Sequence, residues 1–380
     1  MSYLARYKVG LDARPLCYGM TGNSRYLFEA LTYLCRDDSP FYFVLLANKE
    51  IDPIFIPFLE SNRKYLEVKV VKKFGAYWLN FILPKMLKES GVHIFWGTLQ
   101  LLPFWKLSLP SIVNYHDLNF VSAPATMAKG NYWQHRLMSA KTMKNADRIL
   151  CLSKNTMTEI EAYRPAVSSK LRLVYPGVNK NEKNSQILPD IKEPYFFSIG
   201  TLEPRKNLET LIRAFRIFKE SDVAKDFSLV LAGRKGWGDS ALLQELVRGE
   251  LKNEGILFIE NPSEEHLSSL YRNAAIFFFP SLHEGFGLPI LEALVEQKKC
   301  VVSEIPVFRE IIEESVDYLV PPLQVQAWAD SMLKIAKTGN FARKTPWKAE
   351  DWTWKKTAEK IEKELLLLCE QKYGEVKNAV

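Results

Sequence analysis

The segment Ser281-Leu282-His283-Glu284-Gly285-Phe286-Gly287-Leu288-Pro289-Ile290-Leu291-Glu292 combines glycines, a proline and two acids at a spacing suited to an anionic ligand. The apolar run Ile276–Phe279 precedes it and reads as a strand. The glycines therefore lie at the carboxyl end of a strand, where open α/β sheets bind ligands. Gly285 and Gly287 let the backbone approach a ligand closely. Pro289 suits a first helical turn, and that helix N-terminus turns its unpaired amides toward an anion. Glu284 falls in the loop and Glu292 about one turn into the helix, so they bracket the cradle. Two acids beside an anion repel it unless they serve another purpose, and accepting hydrogen bonds from sugar hydroxyls is such a purpose. The bland alternative is a tight strand–turn–helix with a surface Glu and a capping Glu.

Gly200-Thr201-Leu202-Glu203-Pro204-Arg205-Lys206-Asn207 sits in a similar place, between an apolar run and a helical stripe. An Arg fork beside a Lys point charge suits a pyrophosphate, although an isolated Arg-Lys pair is usually solvated surface. Gly22, within Thr21–Tyr26, precedes a helical pattern and admits a ligand near the backbone; a plain capped helix explains it equally well. His116-Asp117 follows the apolar run Ser111–Tyr115. Either residue could bind a hydroxyl or act in acid–base work, and a structural hydrogen-bonded pair is the competing reading. The loop has no GxxxxGK[ST], and no GxGxxG opens either half. The five histidines are dispersed, with no HExxH, no D-x-D and no GxSxG, so no bound metal and no serine nucleophile elbow are expected.

These loops need a frame, and the apolar pattern supplies one. Strands are expected over Lys8–Asp12, Phe41–Ala47, Leu66–Val71, His93–Trp96, Ser111–Tyr115 and Arg148–Leu152. Tyr26–Cys35 has helical periodicity. Tyr175-Pro176-Gly177 is a turn, and the polar run Asn179–Gln186 marks a boundary. Strands resume at Tyr195–Ile199, Ser228–Ala232, Ile256–Ile259, Ala275–Phe279, Cys300–Ser303 and Tyr318–Val320. Asn207 is expected to cap a helix with the stripe Leu208, Leu211, Ile212, Phe215 and Phe218. Strands alternating with helices imply two doubly wound α/β units.

The 380 residues, 47% hydrophobic and 25% charged, suit two soluble globular domains and exclude collagen-like or disulfide-dense classes. Residues 1–190 hold 25 basic and 15 acidic side chains, a surplus of +10; residues 191–380 hold 26 and 29, giving −3. A basic half can meet nucleic acid, an anionic membrane or a phosphorylated substrate. No recognition helix or RNP-type aromatic motif favours nucleic acid, so none is expected as a partner. Cys17, Cys35, Cys151, Cys300 and Cys369 form no CxxC and read as buried free thiols in a reducing cytoplasm. Neither a signal peptide nor an apolar run of the ~18–20 residues of a membrane span is visible. The runs near Ala76–Leu83 and Ile276–Phe279 read as interior segments.

In order along nearly the whole chain, these motifs resemble family 4 retaining glycosyltransferases of the GT-B architecture, within them the bacterial mannosyltransferase B-like group. The resemblance rests on Leu11–Arg14, Thr21-Gly22, Arg25-Tyr26, His116–Leu118, Ala146–Arg148 leading to Ser153, Tyr175–Val178, Gly200–Asn207, Leu231–Trp237 and Phe279–Glu292. The Glu284…Glu292 spacing matches that family's EX7E motif. The resemblance implies two Rossmann-like α/β domains facing a cleft: an acceptor domain over 1–185, a nucleotide-sugar domain over 186–352, and a helix over 353–380 crossing back to the first. It implies catalytic roles for Glu284, His116, Arg205 and Lys206. Arg205 and Lys206 would hold the diphosphate, with the backbone of Gly200, Gly285, Phe286, Gly287 and Leu288 beside the donor. Glu292 would take the ribose, Glu284 and His116 the hexose, and Gly22 would approach the donor from the first domain.

The expected reaction is metal-free, cofactor-free hexosyl transfer with retention, on a front-face path. Mannose from GDP-mannose would pass to a glycan or lipid-linked saccharide in surface polysaccharide or lipopolysaccharide synthesis. A UDP- or dTDP-hexose donor and a catalytically silent binding subunit are the alternatives; Glu284, Glu292, Arg205 and Lys206 together argue against silence. Glu260-Asn261-Pro262 stands where that family has Gly and an aromatic, which bears on the base. The expected location is cytoplasmic. Lysines at 69, 72, 73, 85 and 88 around Tyr77–Leu79 and Phe81–Leu83 suit peripheral contact with an anionic inner membrane face, against the alternative of a core helix with wet lysines.

Overall fold

The computed structural model describes residues 6–180, 191–237, 240–313, 317–343 and 345–374. The chain divides into two compact units. The first comprises Met1–Phe120, Met127–Gly177 and Asp351–Val380; the second comprises Val121–Thr126 and Val178–Glu350. The expected boundary at 185/186 lies outside the described residues.

In the first unit, β1 (Tyr7–Asp12), β2 (Phe41–Ala47), β3 (Leu66–Val70), β4 (Ile94–Gly97), β5 (Ser111–Tyr115), β6 (Arg148–Cys151) and β7 (Leu171–Leu173) form one sheet. Its order is β3-β2-β1-β4-β5-β6-β7, and every pairing is parallel. The central strands β4 and β5 are buried along their whole length, as helices on both faces of such a sheet require, whereas the edge strand β3 carries Glu67 and Lys69. The chain winds outward through β2 and β3, then returns to place β4 on the other side of β1. The carboxyl ends of β1 and β4 therefore flank a switch point, the usual ligand crevice of this architecture. Asp12 and Thr98 stand there, and His116 follows the neighbouring β5.

The second unit repeats the arrangement with β8 (Tyr195–Ile199), β9 (Ser228–Gly233), β10 (Ile256–Glu260), β11 (Ile276–Phe279), β12 (Cys300–Ser303) and β13 (Tyr318–Val320). The order is β10-β9-β8-β11-β12-β13, again all parallel. Its switch point lies between β8 and β11, whose carboxyl ends open into Gly200 and Pro280. The helix Leu208–Phe218 buries Leu208, Leu211, Ile212, Phe215 and Phe218 against this sheet, the stripe expected of it.

The helix Trp354–Tyr373 belongs to the first unit. It buries Trp354, Ala358, Ile361, Leu365 and Leu368, a spacing that keeps one face toward the helix Gly22–Leu34. Thr353 caps it by accepting the Lys356 amide. Arg148 and Arg172 both reach Glu364, at 3.1 and 3.3 Å, and Arg36 reaches Glu362 at 2.7 Å. The entry is tight: a Cβ on Gly177 would stand 2.1 Å from the Trp354 nitrogen, so only glycine fits there.

Two expectations need correction. Asn207 does not cap with its side chain; it adopts the left-handed conformation at φ 53°. Its amide donates instead to the carbonyls of Pro280 and Pro322, at 3.0 and 2.8 Å, which ties the helix start to the loop after β11. The stretch Ala76–Leu83 is not wholly interior: Trp78, Leu79 and Leu83 are buried, whereas Tyr77 and Phe81 are exposed. Among the described residues, no helix is long and apolar enough to cross a membrane.

Candidate active site

The two loops at the second switch point are laced together. The Leu282 amide donates to the Arg205 carbonyl at 2.8 Å. Arg205 Nη1 donates to Glu284 Oε2 at 2.6 Å and to the His283 carbonyl at 2.9 Å. Lys206 Nζ donates to Glu284 Oε1, which also accepts from Ser281 Oγ at 2.8 Å. Both oxygens of Glu284 are thus engaged, by three donors from two loops. Lys206 also lies 5.0 Å above the Phe279 ring, a cation–π contact that keeps its stem against the sheet.

Burial alone would raise the Glu284 carboxyl, but Arg205, Lys206 and the hydrogen bonds outweigh it and hold the group at about 2. Glu284 is therefore a carboxylate at neutral pH, an acceptor and not an acid. Burial lowers the Lys206 ammonium, with Arg205 pushing the same way and Glu284 opposing.

Glu203 is a member of this cluster that its sequence position did not reveal. Its carboxylate accepts from Arg205 Nη2 at 2.6 Å, so the guanidinium is forked between two acids. Two cations and two acids balance the site to zero. Glu284, beside the glycine turn, is the acid that shares both cations.

Gly287 carries φ 127° and begins the helix Leu288–Val295. That backbone angle is strained for any side chain, so glycine is required where the loop bends into the helix. Gly285 and Phe286 between them are buried. Glu292 projects from that helix, and its Oε2 accepts from the Tyr271 hydroxyl at 2.8 Å. Tyr271 packs edge-on against Phe197 of β8, which gives the Glu292 contact a fixed origin. Gly200 closes β8, with the Lys206 stem alongside. The structure thus brings Gly200, Arg205, Lys206, Glu284, Gly285, Phe286, Gly287 and Leu288 to one end of one sheet.

Gly22 and His116 stand in the first unit. Gly22 opens the helix Gly22–Leu34 behind a reciprocal Thr21–Ser24 capping box. A Cβ on Gly22 would meet nothing within 4 Å, so packing does not demand glycine there. His116 Nε2 bonds the Thr98 carbonyl at 2.9 Å. A carbonyl only accepts, so Nε2 carries the proton and Nδ1 is left as an acceptor. Burial lowers the ring's pKa, with Thr98 and Asp117 opposing, which favours the neutral form. The Tyr26 ring meets the imidazole edge-on at 5.9 Å. His116 and Asp117 do not form a pair: the Asp117 carboxylate accepts from Asn119 and Gln100 and shapes the turn. Beside β1, Arg14 holds Asp12 with two bonds of 2.9 and 2.6 Å and lies over the Trp78 ring. Among the described residues, no group of three or more His, Cys, Asp or Glu could hold a metal ion.

With this geometry in place, comparison with known proteins is informative. Residues 179–352 match the family model for glycosyl transferases group 1. The chain is 25% identical over 279 residues to the serotype-specific mannosyltransferase WbdA of Escherichia coli, covering 67% of this chain but 33% of that one. It therefore spans about a third of that relative's length. It is 27% identical over 333 residues to the O-antigen chain mannosyltransferase B of Escherichia coli, with 82% and 79% covered. Among solved structures, a sucrose-phosphate synthase from Thermosynechococcus elongatus superposes with a TM-score of 0.70 at 18% identity, over 96% of this chain and 99% of that one. HepE from Anabaena, solved with UDP and glucose, gives 0.63 at 16% identity, over 96% and 98%. These likenesses establish the two-unit Rossmann-like GT-B fold.

Proposed function

We propose that this chain, whose residues 179–352 are a glycosyl transferases group 1 domain, moves a hexose from a nucleoside-diphosphate sugar to a saccharide acceptor with retention of configuration. The Arg205–Lys206–Glu284 cluster at the second switch point carries this reading. In the reaction the bond between the sugar's anomeric carbon and the diphosphate oxygen breaks. Its electron pair stays with the leaving diphosphate, and the acceptor oxygen bonds the same carbon on the same face as its hydroxyl proton passes to the departing diphosphate oxygen. Arg205 and Lys206 take the diphosphate in place of Glu284 and neutralise the charge that grows on it, from positions fixed beforehand. The displaced Glu284 carboxylate then accepts sugar hydroxyls. Glu292, steadied by Tyr271, accepts the ribose hydroxyls. In the first unit, His116, neutral, has Nδ1 to accept a hydroxyl, and Gly22 leaves open space at its helix start.

The favoured donor is GDP-mannose and the favoured acceptor a glycan or lipid-linked saccharide of a surface polysaccharide. Support comes from relatives described as O-antigen chain mannosyltransferases. A UDP-hexose donor is the second reading, favoured by the likeness to HepE solved with UDP and glucose. We place the reaction in the cytoplasm, in keeping with five free cysteines, of which Cys35, Cys151, Cys300 and Cys369 are buried.

A panel of GDP-, UDP-, dTDP- and ADP-sugars tests the donor. At about 100 times its Kd the true donor adds ~2.7 kcal/mol, which raises the Tm of a unit the size of the second by roughly 5–10 °C. A panel in which no nucleotide sugar moves Tm would sink the reading. Gly22→Val is expected to leave Tm within about 2 °C, because the new side chain meets open space. It should lower transfer at least ~10-fold by filling the open space at the helix start; wild-type kinetics in this variant would remove Gly22 from any ligand-binding role. No resident metal enters the scheme, so EDTA is expected to leave the rate unchanged. Strict Mg²⁺ dependence would show that Arg205 and Lys206 do not suffice for the diphosphate.

A further inference from the structure

The first unit exposes a run of aromatic rings that its core does not use. Phe74 is 90% exposed and Trp105 59%, and Tyr77, Phe81 and Phe104 are exposed beside them. The rings are contiguous: Tyr77 lies 5.2 Å from Phe81, Phe81 lies 5.8 Å from Trp105, and Trp105 lies 5.6 Å from Phe104. Two separate segments supply them, joined where Asn80 Oδ1 accepts the Phe104 amide at 2.7 Å. The cause is local. Trp78–Ile82 is one turn of π-helix between α-helical turns. Trp78 and Leu79 face the core while Tyr77 and Phe81 stay outside. The patch extends onto a third element. The Lys141 ammonium sits 4.8 Å over the Phe104 ring, and Leu137 and Trp133, one and two turns earlier on the same face of the helix Lys129–Asn145, are 71% and 59% exposed.

The rim of this patch is positive. Lys72, Lys85 and Lys106 have carboxylate partners in Glu50, Glu89 and Asp147, the last two at 3.7 and 3.9 Å. Among the described residues, Lys73, Lys88, Lys141 and Lys144 have none. Contiguous exposed rings with a charged rim mark an interaction surface. The choice of partner follows from charge and ring type. A second copy would present the same surplus of lysines and be repelled. A bilayer interface takes aromatic rings at headgroup depth and attracts lysines when its lipids are anionic.

We propose that this face, centred on Phe81 and Trp105, docks in the headgroup region of an anionic phospholipid bilayer. The aromatics enter the interface and the lysines meet lipid phosphates. The inference stands apart from the transferase reading, since neither donor nor acceptor enters it.

Flotation of the full chain with vesicles tests it without any nucleotide. The chain should bind phosphatidylglycerol–phosphatidylcholine vesicles at low salt, at least about tenfold better than pure phosphatidylcholine, and release as salt rises. The double variant Phe81→Ser/Trp105→Ser should bind at least about tenfold more weakly, with its Tm and its nucleotide-induced Tm shift unchanged. Lys141→Glu/Lys144→Glu should lose the preference for anionic vesicles. Absence of flotation at low salt overturns the proposal, as does a Phe81→Ser/Trp105→Ser variant that floats like the wild type. A wild-type dimer in sedimentation velocity that the same variant dissolves would assign the face to a second copy instead.

Discussion

Glu284→Gln is expected to lower glycosyl transfer by about 10²–10³-fold while tightening the binding of the free nucleoside diphosphate. The two effects separate because Glu284 has two partners in turn. Without ligand, its carboxylate occupies Arg205 and Lys206. Glutamine keeps the shape but not the charge, so the cations no longer leave a carboxylate to meet the diphosphate. Arg205 retains Glu203, which keeps the loop in place. During transfer, however, glutamine is the weaker acceptor for sugar hydroxyls and offers no charge to the developing positive centre. Isothermal titration with the nucleoside diphosphate, set beside initial rates, distinguishes the cases. Loss of binding and rate together would make Glu284 a structural residue, and an undiminished rate would remove it from the chemistry.

The same variant carries a pH signature. The folded value of Glu284, about 2, lies below its ordinary value of 4.5. The stabilisation from this carboxylate is therefore fully present above pH ~4.5 and lost as pH falls through about 2. Wild type should lose more stability than Glu284→Gln over that acid range, measured by urea unfolding. Because Glu284 meets both cations in the free protein, kcat/KM should show no acid limb from it at pH 5 and above.

Asp317→Ala is expected to cost about 3–5 kcal/mol and to lower the Tm of the second unit by roughly 6–20 °C. Asp317 and Arg343 have fully buried side chains and meet at 2.7 Å. Asp317 also accepts the amides of Cys300 and Glu313, at 2.9 and 3.1 Å. Alanine strips the Arg343 guanidinium of its buried partner and leaves it, among the described residues, with Glu313, which is part-exposed, at 3.2 Å. Uncompensated charge in the interior accounts for the size of the effect. Replacing both residues together, Asp317→Leu with Arg343→Met, should cost less than Asp317→Ala alone, since no charge is then stranded. Cys300 starts β12, at the opposite strand end from the Glu284 loop, so affinity for the nucleoside diphosphate should hold. A Tm within about 2 °C of wild type would mean that Arg343 finds water or another partner.

The strands were legible where an apolar run ends sharply. Phe41–Ala47, Ser111–Tyr115, Tyr195–Ile199 and Cys300–Ser303 have the bounds that their flanking polar or turn residues mark. The Glu284 loop was legible because glycines and a proline at a strand end are unusual. Glu203 was not, since an acid two residues before a cation resembles ordinary surface; only the fold brings its carboxylate under Arg205. Asn207 misled because a cap and a left-handed turn favour the same residue type. Tyr271 lay inside a helix whose role toward Glu292 depends on how two helices meet. The 76–83 stretch is apolar but for Asn80, and its sidedness comes from a π-helical turn that has no period to read.

The return of the helix Trp354–Tyr373 bears on how the protein is made. Domains ordinarily complete in the order they leave the ribosome, at about 5–20 residues per second. Here Tyr26 of the first unit waits for Trp354, and Arg148 and Arg172 wait for Glu364. Close to two hundred residues separate Gly177 from the end of that helix, so translation alone imposes a delay of about 10–40 s. Throughout that interval the helix Gly22–Leu34 has a bare apolar flank, and before the helix Trp354–Tyr373 emerges the second unit has gained all of the described strands β8 to β13. Of the two units, the one translated first is thus completed last, and removal of the helix Trp354–Tyr373 would strand it in that unfinished state.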